Sequence, residues 1–417
     1  MLLGYIWIAF FTIAFILGLV RTFLLPDTSS LYNVNAIPEM VLALFNSSKG
    51  AFDLALGLTG MLTLWLGLLK IAEKAGLIEK LSTIIAPFFS KLFPEVPKGH
   101  PVLGSILMNF SANMLGLDNA ATPLGLKAME GLQELNPNKD TASNAQIMFL
   151  VLNTSGLTII PINILMFRAQ LGSASPSDVF IPILITTFVA TLVGMLAVGI
   201  KQKINFLDRT LLLFLIGSTL FIALLISFFL QLAPPMIKLY SELSGNIILF
   251  SIIILFLWMG LLKKLSVFEV FVEGAKEGFQ VAIRIIPYLV GLLSAITLFK
   301  ASGAFDLIIL GIKNLSNEDS RIVEIAQALP TALMKPLSGS GARAMMIDSM
   351  KQYGPDSFTG RLSCIFQGAV DTTFYIVAVY FGSVGVKNSR YAISCGLLAD
   401  FASVIAAIII ASLFFPA

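Results

Sequence analysis

Nine long apolar runs constrain this chain more than any other feature of its sequence. A bilayer core requires about 20 apolar residues per spanning helix. Runs of this kind occupy residues 2–20, 52–69, 146–167, 178–200, 211–230, 247–262, 281–299, 364–385 and 393–414. Hydrophobic residues make up 57% of the chain and charged residues only 12%, against about 25% charged residues in soluble domains. The sequence therefore predicts an all-α polytopic membrane protein whose main partner is the lipid bilayer.

The composition also argues against several classes of function. The net charge is only +3 and the basic residues form no stripe, so we expect no nucleic-acid partner. The single histidine, His100, and the separate cysteines Cys364 and Cys395 give no spaced set of metal or haem ligands. The sequence shows no nucleophile–base pair and no GxxxxGK phosphate loop. We therefore expect neither an enzyme nor a resident cofactor.

Two further apolar stretches, 103–125 and 326–347, are interrupted near their middle by proline, glycine and polar residues. Irregular backbone is tolerated at membrane depth only where protein or a water-filled cavity satisfies it. We therefore predict two re-entrant hairpins in addition to about nine transmembrane helices. Placing the N-terminus in the cytoplasm puts most basic loop residues inside, as membrane topology requires.

A weak internal repeat divides the chain. In each half, a long span precedes a broken segment, a helix with a polar triplet and a further span. The predicted topology runs the halves in opposite directions, which is the inverted repeat of many secondary transporters. Chance similarity between apolar helices is the alternative. The predicted units are an N-terminal helix and loop at 1–45, a first repeat at 46–200, a linker helix pair at 201–265 and a second repeat at 266–417.

The first broken segment carries a cluster of polar residues in otherwise apolar sequence. They are Asn109, Ser111, Asn113, Asp118, Asn119 and Thr122. Asn and Asp favour turns through bonds to the local backbone, and Pro123 fits the first turn of a following helix. We expect a helix, a polar turn and a second helix whose N-terminal dipole is directed at the turn. The alternatives are a solvent loop or ordinary interhelical hydrogen bonds.

The second broken segment holds the most specific signal in the sequence. Its candidate binding residues are Lys335, Ser338, Gly339, Ser340, Gly341 and Arg343. The serine–glycine run can form an anion-binding turn at a helix start. An intramembrane cation costs ~2.5–3.5 kcal/mol on insertion scales, so it usually has a partner or a function. The alternative is that both cations reach the membrane surface.

Polar triplets in the helices that follow complete the candidate site. The triplets are Asn153, Thr154 and Ser155 in the first half, and Asp371, Thr372 and Thr373 in the second. Pro161 frees a carbonyl after the first triplet, and freed carbonyls and hydroxyls suit Na⁺ or a neutral polar solute. Asp371 is the best candidate for a coupling group, because a carboxylate buried in apolar surroundings binds a proton more readily. The alternative is a packed salt bridge to Lys335 or Arg343.

Several segments resemble a known family. From about residue 46 to residue 201, the segments LFPEVP (92–97), SANMLG (111–116) and 119–129 resemble bacterial spore maturation protein A. From about residue 267 to the end, the segments 271–279, KPLSGSGA (335–342), 353–358 and DTTFY (371–375) resemble spore maturation protein B. The chain therefore resembles a natural fusion of the two proteins. Both halves also resemble the gate, or nucleoside-recognition, domain, and this resemblance implies re-entrant hairpins that face unwound helices.

These observations lead to an expected function. We expect a transporter or permease for a small polar solute in the bacterial plasma (inner) membrane, with Na⁺ or H⁺ as the coupling ion because the sequence contains no ATPase motif. Assembly into a homo-oligomer stays open. The alternative is a non-transporting membrane scaffold in envelope or spore maturation.

Overall fold

The computed structural model describes residues 2–24, 33–97, 99–116, 118–305, 307 and 320–416. Its α-helices are α1 (Leu2–Leu19), α2 (Ala36–Lys74), α3 (Leu77–Leu92), α4 (Pro101–Met114), α5 (Asp118–Leu135), α6 (Asn144–Thr154), α7 (Ile162–Gln170), α8 (Phe180–Gln202), α9 (Arg209–Leu230), α10 (Pro234–Leu262), α11 (Val267–Ala301), α12 (Ser320–Met334), α13 (Gly339–Tyr353), α14 (Phe358–Ala369), α15 (Thr373–Ser383) and α16 (Ala392–Phe414). Within these residues, eight segments are long and apolar enough to cross a membrane. The chain is thus an all-α polytopic membrane protein, and this prediction is confirmed.

The apolar run 146–167 accounts for the difference between eight segments and the nine predicted. Here α6 ends at Thr154 and α7 begins at Ile162, so neither piece is long enough to span alone. Pro161 immediately precedes α7 and supplies no backbone N–H to continue the first helix. The run 364–385 is also interrupted, because α14 ends at Ala369 and α15 begins at Thr373. Both polar triplets therefore fall at breaks between half-helices.

The two longest helices, α2 and α11, lie antiparallel along most of their length. Near the end of α2, Lys74 forms an ion pair with Glu273 at 2.5 Å, and near its start the Ser47 hydroxyl accepts a hydrogen bond from Thr297 at 3.0 Å. Residues early in one helix therefore meet residues late in the other. The two helices open the two halves of the chain, so the halves have opposite orientations.

Glycine allows the backbones of α2 and α11 to approach closely. A Cβ atom added at Gly278 would lie 2.7 Å from the carbonyl oxygen of Leu62, and Gly274 is crowded against α2 one turn earlier. Small residues are typical where membrane helices pack by van der Waals contact, because lipid tails provide no hydrophobic drive for association. This contact joins the halves directly.

Four kinds of element recur in the same order in each half. A long helix (α2 or α11) precedes a helical hairpin (α4–α5 or α12–α13), a broken helix (α6–α7 or α14–α15) and a final span (α8 or α16). Helices α8 and α16 pack together, and each also contacts both α6 and α14. Pro123 lies inside α5 and not in its first turn, since α5 already begins at Asp118.

Helices α9 and α10 connect the halves and expose much apolar surface. Phe221, Leu224 and Phe250 are among the large side chains that stay exposed on them. Because a soluble monomer rarely exposes contiguous apolar surface of this extent, these faces contact the lipid bilayer.

Candidate functional site

The turn of each hairpin is joined to the break of the following helix. In the first half, the N–H of Ile159 donates to the carbonyl of Met114 at 2.9 Å. In the second half, the N–H of Phe374 donates to the carbonyl of Pro336 at 3.0 Å. Backbone groups freed by a helix break must find partners inside a membrane, and here each break finds part of its partners in its own hairpin.

The two breaks also meet each other. The N–H of Asp371 donates to the carbonyl of Thr154 at 2.7 Å, which closes a chain of contacts from one hairpin to the other. Glycines let the backbones come this close. Gly116 has a left-handed φ of 71°, and its added Cβ would lie 3.0 Å from the carbonyl oxygen of Ile160.

A cavity of about 310 Å³ lies where the hairpins and the breaks meet. Predicted site residues on its wall are Asn113, Thr122, Asn153, Lys335, Gly339, Arg343 and Asp371. Thr122, Asp371 and Tyr375 are exposed, so the cavity is open on one side. Its size lies at the lower end of the range of small-molecule pockets, which begins near ~300 Å³.

Two cations and one carboxylate give the cavity wall its charge. Lys335 is only 7% exposed, so its side chain is buried within the protein. Arg343 lies 5.8 Å from the centre of the Phe167 ring. Asp371 is exposed to the cavity, contrary to the expectation of a buried carboxylate, and its Oδ1 accepts the N–H of Thr372 at 2.7 Å. The break between α14 and α15 puts Asp371 on the wall, where it can contact a solute.

Side-chain amides connect the wall across elements. The Nδ2 of Asn113 on α4 donates to the Oδ1 of Asn153 on α6 at 2.8 Å. The hydroxyl of Tyr380 on α15 approaches the same oxygen at 3.5 Å. A polar junction of the first half is thus completed by a side chain from the second half.

Two other predicted residues of the first hairpin, Asn109 and Ser111, hold helices together and do not themselves line the cavity. Asn109 donates to the carbonyl of Ala121 at 2.7 Å, which holds α4 against α5. The hydroxyls of Ser111 and Ser82 are 3.2 Å apart and join α4 to α3. The side chains of Asp118 and Asn119 lie outside the described residues.

The hydroxyls of the first triplet are bonded within their own helix. Thr154 and Ser155 both donate to the carbonyl of Val151, at 3.0 and 2.8 Å. The carbonyl of Ser155 in turn accepts the hydroxyl of Thr191 on α8. These two side chains lie at the end of α6 and do not line the cavity.

The serine–glycine turn of the second hairpin caps α13. The Ser338 hydroxyl accepts the N–H of Gly341 at 3.0 Å and lies 3.2 Å from the Ser340 hydroxyl, so part of the predicted anion-binding turn is already satisfied from within. Thr372 is buried beside Gly339, and Thr373 donates to a carboxylate of α16 at 2.8 Å.

The sequence analysis missed several side chains of the site. Asn163, Gln367, Tyr375 and Tyr380 also line the cavity. Asn163 follows Pro161 by two residues and Tyr375 follows Asp371 by four, so both lie within about one helical turn of residues already singled out. The Thr373 hydroxyl donates to Asp400. This acidic residue lies within the predicted span 393–414, where a charged residue is unusual, but it was not among the predicted site residues.

Outside the cavity, buried charges clamp the halves together. Arg168, at the end of α7, is fully buried and pairs with Asp178 at 2.8 Å and with Asp356 at 3.0 Å. Arg361 on α14 also pairs with Asp178, at 2.8 Å. We call these four residues the buried clamp.

The two carboxylates of the buried clamp differ in their proton affinity. Burial raises the pKa of Asp178, although Arg168 and Arg361 act in the opposite direction. Burial also acts to raise the pKa of Asp356. This effect of burial is outweighed by hydrogen bonds from the Ser173 hydroxyl and the Ala174 N–H and by the charges of the two arginines. The pKa of Asp356 is therefore lowered. The loop 173–178 of the first half and the loop 354–357 of the second are thereby held in one network.

Comparisons with known proteins agree with the resemblance seen in the sequence. The family model for nucleoside recognition, named Gate, matches residues 55–201. The chain is 49% identical to spore maturation protein B of Bacillus subtilis (strain 168) over 156 residues, which are 37% of this chain and 86% of that protein. It is 45% identical to spore maturation protein A of the same organism over 148 residues, which are 36% of this chain and 76% of that protein. No solved structure matches this chain.

Proposed function

This chain belongs to the family of spore maturation proteins A and B, and from that premise we propose that it is a permease for a small polar solute. The proposal places it in the bacterial inner membrane with a cytoplasmic N-terminus, the orientation favoured by its basic loop residues. It acts by binding and conformational change and not as an enzyme.

The observation that carries this proposal is the polar cavity between two hairpins and two broken helices. Discontinuous helices that meet near the middle of an inverted repeat are the usual binding geometry of secondary transporters. Each half contributes one hairpin and one break, and the backbone contact between Asp371 and Thr154 joins them. A rigid movement of one half against the other would therefore change the shape of the cavity.

The cavity wall favours a neutral or anionic solute with several hydrogen-bonding groups. Asn113 and Asn153 offer amides, while Lys335 and Arg343 outnumber the carboxylate of Asp371. Aromatic side chains, including Tyr375, provide an apolar surface. The matched family is described as recognising nucleosides, so nucleosides are the first solutes to examine, followed by small organic anions.

The scaffold alternative requires a dry, closed core. It also predicts that substitutions in the loops, and not in the hairpins, impair the function. An open polar cavity within an apolar bundle supports the permease instead, because polar and ionisable groups inside a membrane are costly and typically mark a substrate or ion pathway.

The test is solute uptake into proteoliposomes, with nucleosides and small organic anions as probes. We expect Lys335→Ala and Asp371→Asn to reduce uptake at least tenfold with normal protein yield, because both side chains lie on the cavity wall. Lys201→Ala and Asp140→Asn are matched controls at exposed positions away from the cavity. Equal uptake by all four variants would contradict the assignment of Lys335 and Asp371 to the binding site. If the folded wild type takes up none of the probes, the scaffold alternative is favoured.

A further inference from the structure

Asp400 is a buried acidic side chain that the proposed site does not use. It lies in the middle of α16 and is 5% exposed. Its Oδ2 accepts the Thr373 hydroxyl at 2.8 Å, while its Oδ1 has no hydrogen-bond partner among the described residues. A carboxylate buried in a membrane protein with one oxygen unsatisfied is costly. An ionisable group at such a position typically marks a binding site or a proton relay.

The position of Asp400 links it to the half-helix that follows the cavity wall. Thr373 is the first residue of the eleven-residue half-helix α15, and it follows Asp371 on the cavity wall by two positions. The carboxylate therefore lies at the positive end of the α15 dipole. Gly396, one turn earlier on α16, lets the two helices approach, since an added Cβ would lie 2.9 Å from the Thr373 methyl carbon.

The charged surroundings of Asp400 are simple. Lys335 and Asp371, both on the cavity wall, are the charged residues whose fields reach it. Among the described side chains of the helices packed against α16, the charged groups are Lys201 on α8, Glu242 on α10 and Arg361 on α14. The other titratable groups on these helices include Cys364 on α14 and Tyr375 and Tyr380 on α15. Helix α6, which also packs against α16, carries no charged residue.

Among the described residues, Asp400 belongs to no cluster of three or more acidic, histidine or cysteine side chains that could hold a metal ion. Na⁺ or Ca²⁺ sites need several oxygen ligands, whereas the side-chain partner here is one hydroxyl. Asp400 does not line the cavity between the hairpins and the breaks. A proton requires neither space nor further ligands.

We propose that Asp400 is the proton-binding site that couples the H⁺ gradient to movement of the half-helix α15. This rests on the proposed permease function. When ionised, Asp400 holds the start of α15 through the Thr373 hydroxyl and the helix dipole. When it takes up a proton, the attraction between charge and dipole is lost, and α15 is released together with the break that carries Asp371.

The test measures proton binding without any solute. Infrared spectra of the purified protein in lipid are recorded between about pH 5 and pH 9, to follow the C=O band of protonated carboxyl groups. We expect a band that grows as the pH falls, that is absent in Asp400→Asn, and that is retained in Ser403→Ala. Ser403 is a matched control because its hydroxyl bonds the backbone carbonyl of Asp400 and not the carboxyl group.

Thr373→Val provides a second variant in case Asp400→Asn does not fold. It removes the hydrogen bond that favours the ionised form, so the same band should titrate at higher pH. A wild-type spectrum without a titrating band, or a band that Na⁺ removes at constant pH and ionic strength, would overturn the proton site. Uptake that still follows the pH gradient in Asp400→Asn would overturn the coupling role, whereas an intact titration without uptake of any solute would count against the permease alone.

Discussion

Replacing Arg168 with Met tests whether the buried clamp holds the two halves together. Methionine keeps an unbranched apolar side chain but removes every donor. The arginine donates to the carbonyls of Pro176, Ser175 and Pro355, to the Ser173 hydroxyl and to the carboxylates of Asp178 and Asp356. Removing one partner of a buried ion pair costs about 3–5 kcal/mol, because the other charge stays buried without compensation. Arg361 still pairs with Asp178 in the variant, so we expect a loss of about 3 kcal/mol in the free energy of unfolding.

The assay is equilibrium unfolding in mixed micelles, with Lys91→Met as the matched control. Lys91 pairs with Asp208 at 2.7 Å, but the two side chains are 47% and 27% exposed. Solvent weakens such pairs, so this variant should unfold close to the wild type. The double variant Arg168→Met with Asp178→Asn should recover part of the loss, because it removes the buried charge as well. Equal unfolding free energies for the Arg168 and Lys91 variants would refute the argument.

The remaining predictions concern acid stability and helix approach. The lowered pKa of Asp356 means that the folded state binds its proton less readily than the unfolded state. Its stabilising contribution is complete above the ordinary value of 3.8 and is lost as the pH falls through the lower folded pKa. The free energy of unfolding of the wild type should therefore fall more steeply below about pH 4. An Asp356→Asn variant should lack this steeper fall, which would support the role of Asp356. Gly278→Ala should cost about 1–3 kcal/mol of unfolding free energy, as overpacking does, because the new methyl meets the Leu62 carbonyl at 2.7 Å. Gly217→Ala, which meets nothing within 4 Å, is its control, and equal unfolding of the two variants would contradict the close packing of α2 and α11.

The membrane fold could be predicted because lipid imposes a simple requirement on the sequence. A spanning helix needs a long apolar run, and the runs were visible without any knowledge of packing. The requirement does not tell a continuous helix from a broken one. The run 146–167 has the composition of a span, yet Pro161 and the contact between Ile159 and the hairpin carbonyl of Met114 interrupt it. Conversely, α2 continues through the polar residues 46–49, which the apolar runs exclude.

The candidate site could be predicted in outline because polar residues inside apolar stretches need a reason to be there. That reasoning selected Asn113, Asn153, Lys335 and Asp371, all of which the structure places around one cavity. It could not tell these residues from Asn109, whose amide holds the backbone of α5, because both uses require the same residue type. Whether such a side chain lines the cavity or holds a neighbouring helix depends on the rotation of its own helix about its axis. That rotation is set by tertiary packing.

The buried clamp was beyond prediction for a different reason. Its charged residues come from loops and helix ends, where charge is expected in any membrane protein. Only the packing of loop 173–178 against loop 354–357 removes them from water. Burial of this kind is a property of two distant segments together, and neither segment reveals it alone.

The contact between the two breaks has a consequence for the order of synthesis. The carbonyl of Thr154 is made early and is exposed by the break after α6, but the N–H of Asp371 that satisfies it belongs to a much later part of the chain. Until that later part has entered the membrane, the first half carries a backbone group that lipid cannot satisfy. We therefore expect the first half, until then, to need water, a chaperone or another protein surface to satisfy this carbonyl group. The connecting helices α9 and α10 keep the two halves in the same patch of membrane while translation is completed.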